Sequence, residues 1–177
     1  MKLKMLTLGA TLGFVLVAVV LGSASSGEAA AKRGLMPGKW HGMGVISGSI
    51  TDEAATTTFS GKLGFRLNVA KNLAVGGSGS WVKTMKGRGL VSSTMTGIAR
   101  LVFAGTGSDI KFGYAETVDG TVTANGMTKP VSFDLAPAGF VRLVITRART
   151  CTAAGTIPTG DGAKITWSAK RLGRCTE

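Results

Sequence analysis

Few residues in this chain have the chemistry for catalysis. The single histidine, His41, stands in Trp40-His41-Gly42. A lone imidazole cannot make a multi-histidine metal site, and no catalytic triad is expected around it. Beyond Glu28 there are eight carboxylates, and Asp52-Glu53, Asp119 and Asp161 fall where turns are expected. No spacing sets two of them up as the paired acids of a glycosidase. We read them as turn and surface residues. The glycine-rich piece Met85-Lys86-Gly87-Arg88-Gly89 lacks the Gly-Lys-Ser/Thr ending of a phosphate loop, and no helix is expected after it. The expectation is a protein that is not an enzyme and carries no cofactor and no metal.

The cysteines carry a clearer message. Cys151 and Cys175 are the only two. An even count fits one disulfide in an oxidising compartment. Closing a loop of this size stabilises by roughly 3 kcal/mol in the chain-entropy picture.

Charge is the other signal. The formal net charge is +12, and setting Lys2, Lys4 and Glu28 aside leaves +11. Such an excess favours anionic partners. The last third is the most basic, and Arg142, Arg147, Arg149, Lys170, Arg171 and Arg174 are the candidate contacts to an anionic partner. Exposed cations on strand edges also guard against aggregation, so the pattern has two readings. Nucleic acid is not the expected partner. Base stacking needs aromatics interleaved with cations on one face, and only Phe140, Arg142 and Val144 approach that.

These residues are positioned by strands. Apolar residues alternate with small or polar ones, and no helical period follows residue 31. The clearest run is Leu63, Phe65, Leu67, Val69 against Gly64, Arg66, Asn68, Ala70. Similar faces are Trp40 to Ile50, Leu73 to Trp81, Met95 to Phe103, Ile110 to Tyr114, Val131 to Leu135, Val141 to Ile145, and Ile165 to Ala169. Turns are expected at Thr51-Asp52-Glu53, Lys71-Asn72, Gly105-Thr106-Gly107, Asp119-Gly120, Asn125-Gly126, Ala136–Gly139 and Thr159–Gly162. The expected fold is all-β: an antiparallel meander of about nine or ten strands forming a closed or partly open barrel, with a two-sheet sandwich as the alternative. The turn at Thr159–Gly162 would set Cys151 opposite residue 170. Reaching Cys175 then requires Gly173 to turn the tail back.

Residues 1–31 read as a signal helix. Lys2 and Lys4 precede an uncharged run from Leu6 to Leu21, and small residues follow. Cleavage is expected after Ala24 or Ala31. Residues 32–177 would then form one glycine-rich β domain outside the cytoplasm, secreted or held in the periplasm or envelope and not spanning the membrane. Its expected role is non-catalytic binding of a lipid or other apolar ligand with an anionic headgroup. The alternative is a structural or adhesive surface protein that binds anionic wall polymers.

Overall fold

Side-chain alternation is the local rule throughout the structure, a computed structural model that describes residues 34–53, 55–136, 139–158 and 164–175. Period-two patterns put one set of side chains on each face of a strand. The described residues form nine strands: β1 Gly38–Thr51, β2 Ala55–Val69, β3 Ala74–Gly89, β4 Val91–Thr106, β5 Asp109–Ala124, β6 Met127–Leu135, β7 Val141–Ala148, β8 Thr152–Ile157 and β9 Lys164–Arg171. Every pairing is antiparallel. They belong to one sheet, so the two-sheet alternative does not hold.

The sheet closes on itself. Strands β1 to β5 pair in sequence, β5 continues to β7, β7 to β8, β8 to β9, and β9 returns to β1. That is a ring of eight strands. The chain departs from a plain meander at β6, which pairs only with β5. Its outer edge carries Lys129 and Pro130, residues that discourage further strand pairing.

The ring is closed at one end only. β9 pairs with β1 from Trp40 to Ser47, and β7 meets β5 only at Ile110 to Phe112. Above those points β1 to β6 continue as an open, curved sheet. The closed end is filled by Trp40, Phe65, Leu67, Leu101, Phe103, Ile110, Phe112, Leu143 and Trp167, all buried. Aromatic rings span it: Phe65 lies 5.8 Å from Trp167 and 5.4 Å from Phe103, and Phe103 lies 5.1 Å from Phe112. Glycine makes room for these rings. A side chain at Gly42 would collide with the Phe65 ring, and one at Gly155 with the Trp167 indole. Leu35 seals the bottom, where its amide donates to the Gly107 carbonyl.

Several expected turns are present, and one is not. Asn125 and Gly126 have φ of 51° and 75°, and Leu73 closes the β2–β3 turn with φ 66°. Asp119-Gly120, however, lies inside β5. Asp119 faces Thr96 on β4 and Ser132 on β6. Ladders on both sides outweigh the turn tendency of the dipeptide, and Gly120 instead lets the Met95 backbone approach closely. The Thr159–Gly162 turn and the 1–31 signal segment lie outside the described residues.

Cys151 and Cys175 form a disulfide with their Cα atoms 5.6 Å apart. Thr152 is opposite Lys170, so the tail must reverse to reach Cys151. Gly173, with φ 100°, makes that reversal. The bridge closes 24 residues of chain. Replacing both cysteines with serine should lower unfolding free energy by about 3 kcal/mol. Urea unfolding, followed by circular dichroism with and without reductant, measures it.

Candidate functional site

The outer wall of the ring separates charge by strand. β1, β2, β3, β4, β7, β8 and β9 contain no Asp or Glu, and all strand carboxylates lie on β5 and β6. Closing the ring then brings distant cations into register. Arg66 on β2 is opposite His41 on β1, His41 is opposite Lys170 on β9, and Lys170 is opposite Thr152 on β8. Directly opposed residues have Cβ atoms about 4.5–5.5 Å apart. Arg149 extends this row, since its amide donates to the Thr152 carbonyl. All these basic side chains are exposed, and Lys39 stands diagonally below Arg66.

A bulge in β7 completes the face. Its register shifts between Ile145 and Arg147. Before the shift even-numbered residues point outward, as Arg142 does. After it Arg147 is opposite Ala154 and points outward, one row above Arg149. A bulge changes which residues face out by adding one residue to one strand.

Of the six basic residues singled out in the sequence, Arg147, Arg149 and Lys170 meet on this face. Arg142 does not. Its Nε lies 3.0 Å from Asp109 Oδ1, on the far side of β7 beside Lys111. Arg171 is opposite Trp40 at the lower rim and is half-buried against Gly38. Arg174 lies beyond the Gly173 turn, next to the disulfide. Arg66, Lys39 and His41 were not expected on the face. Only the β1–β9 pairing reveals them, and that pairing joins the two ends of the domain.

A second feature lies inside. The Glu116 carboxylate is buried, with Oε2 2.9 Å from Lys83 Nζ. It leans over Gly97, where no side chain could stand. The Lys83 ammonium also sits 5.8 Å above the Trp81 ring, and Trp81 packs 4.5 Å from Tyr114. Glu116 Oε1 and Trp81 Nε1 are buried with no hydrogen-bond partner. Glu116 was not among the residues singled out in the sequence, although its place on the Ile110, Phe112, Tyr114 face was a readable signal. Among the described residues no three His, Cys, Asp or Glu side chains gather as a metal site would require.

No protein family matches this chain, and neither does any curated protein or solved structure.

Two outcomes follow from the internal cluster. Lys83→Met strands a buried carboxylate and should destabilise by about 3–5 kcal/mol, whereas adding Glu116→Leu should recover most of that loss. Chemical denaturation of the single and double variants measures both. The Tyr114 phenol is raised above its ordinary value, first by burial and then by the Glu116 charge. Above about pH 10 the unfolded chain releases this proton while the folded one retains it. The unfolded state then binds fewer protons, so stability falls as pH rises. Tyr114→Phe should show a shallower loss of thermal stability from pH 9 to 11 than the parent.

Proposed function

We propose that residues 32–177 form a non-catalytic envelope or secreted protein that binds an anionic wall polymer along the β2–β1–β9 face, after export by a signal peptide comprising residues 1–31. The observation that carries this reading is the row Arg66–His41–Lys170–Arg149, set in a wall of seven strands without a carboxylate. An extended polyanion meets cations there with no anion to repel it. The disulfide and the net charge of +12 suit an extracytoplasmic site rich in anionic polymer. We take the closed end to be a small filled barrel. Its interior is occupied by its own aromatic side chains, which favours surface binding over a ligand held inside. The outer faces of β1 to β4 mix Val45, Val82 and Ile98 with Lys62, Arg66 and Arg100, and a lipid-facing band would exclude those charges.

The test is binding to a glycerol-phosphate polymer by sedimentation or calorimetry. Affinity should fall steeply with salt, because exposed charges are screened. The Arg66→Glu/Lys170→Glu variant should bind about 10-fold more weakly, while Lys111→Glu/Lys129→Glu, an equal change of charge on β5 and β6, should change little. Equal loss in both variants would point to net charge alone and would overturn the assigned face.

A further inference from the structure

The open part of the sheet has an inner face that the closed ring does not use. Its cross-strand rows follow from register. One row runs Gly48, Phe59, Met85, Met95, Gly120, Val131 across β1 to β6. The row beneath runs Ile46, Gly61, Lys83, Gly97, Val118, Phe133. The next one down contains Leu63, Trp81, Ala99, Glu116, Leu135. A trough results, with apolar walls of Phe59, Met85, Met95, Val131 and Phe133. Met85 and Val118 are buried deep in it, Phe59, Met95 and Val131 are half-buried, and Phe133 is 38% exposed at the β6 edge. Gly48, Gly61, Gly97, Gly120 and Ala99 in these rows leave width between the larger side chains.

The floor is polar. Trp81 and Glu116 lie in one row with only Ala99 between them, about 10 Å apart along the sheet at two strand spacings. Trp81 Nε1 is an unused donor and Glu116 Oε1 an unused acceptor, both buried. Oε1 is the oxygen that leans over Gly97, a residue of the row above. Lys83 neutralises the carboxylate through its other oxygen. A group that both accepts and donates a hydrogen bond would satisfy the two orphaned atoms together. A charged carboxylate or phosphate would not, because it has no proton to give to Glu116.

We propose that the trough binds a single-chain amphiphile whose head is an O–H group, either a long-chain alcohol or an undissociated fatty acid. The hydroxyl oxygen accepts a hydrogen bond from Trp81 Nε1, its O–H donates one to Glu116 Oε1, and the chain lies along Phe59, Met85, Met95 and Phe133 toward the open end. Methionine suits such a wall because its unbranched, polarizable side chain adapts to a flexible ligand. This site is separate from the basic outer face and does not depend on it.

The experiment uses the delipidated, disulfide-bonded chain with three probes: 1-dodecanol, lauric acid and dodecane. Binding is followed by tryptophan fluorescence and calorimetry. Dodecanol should bind with one-to-one stoichiometry, and lauric acid should bind at pH 4 but at least 10-fold more weakly at pH 8, where it is ionised. Phe133→Asp, at the exposed rim, should weaken dodecanol without lowering the melting temperature. Met95→Trp should block the trough. Trp81→Phe should bring dodecanol down to the affinity of dodecane. If dodecane already binds the parent as well as dodecanol does, the hydroxyl site is wrong. If no probe binds the parent more than Met95→Trp, the trough holds water alone and the proposal fails. Neither result bears on polymer binding, which Arg66→Glu/Lys170→Glu tests by itself.

Discussion

The narrow interior of an eight-strand ring is the constraint from which most of this structure follows. Eight strands leave room only for side chains or one small ligand. Here Phe65, Phe103, Phe112 and Trp167 take that space, and their rings touch one another across it. Such large residues fit only if their neighbours are very small. Gly42 yields to Phe65, and Gly155 yields to Trp167. The abundant glycine is therefore a packing requirement as much as a source of bends. β7, β8 and β9 are short. They close the ring only as far as the aromatic layer extends, and the longer β1 to β5 continue past it.

Closure also organises charge. β9 must lie beside β1 for the core to be sealed, and that contact sets Lys170 against His41 and Arg66. The bulge in β7 adds Arg147 and Arg149 to the same side. Strand carboxylates are confined to β5 and β6, where Asp109 holds Arg142, and the Thr117 hydroxyl donates to Asp134 at 2.8 Å. One wall is thus purely basic and the other mixed. The inside shows a related division. Aromatic packing fills the closed end, while the polar Lys83–Glu116 pair stands where the ring opens.

Strand content, the inward faces and several turns were legible because each depends on local sequence. Leu63 to Val69 show the period, and Asn125-Gly126 shows the turn. The reversal at Gly173 was legible too, from counting residues between the hairpin and Cys175. Asp119-Gly120 misled because its neighbours, Thr96 and Ser132, come from other strands and overrule a local tendency. The site was less legible. Lys170 and Arg149 were visible as a basic C-terminal cluster, but Arg66 and His41 lie about a hundred residues away in the chain. A bulge leaves no simple mark in composition, so the outward turn of Arg147 could not be read. Pro130 is a readable edge-strand signal in β6, but only the pairing shows that β6 stands outside the ring and leaves the open trough.

Hydrogen exchange, mapped by NMR on the protein bound to a glycerol-phosphate polymer, tests the central claim most directly. If the basic wall is the docking face, slowed exchange and shifted resonances should concentrate on β2, β1 and β9 around Arg66, His41 and Lys170. β5 and β6 should be unchanged. A footprint centred on β5 and β6, or one spread evenly around the ring, would contradict the account.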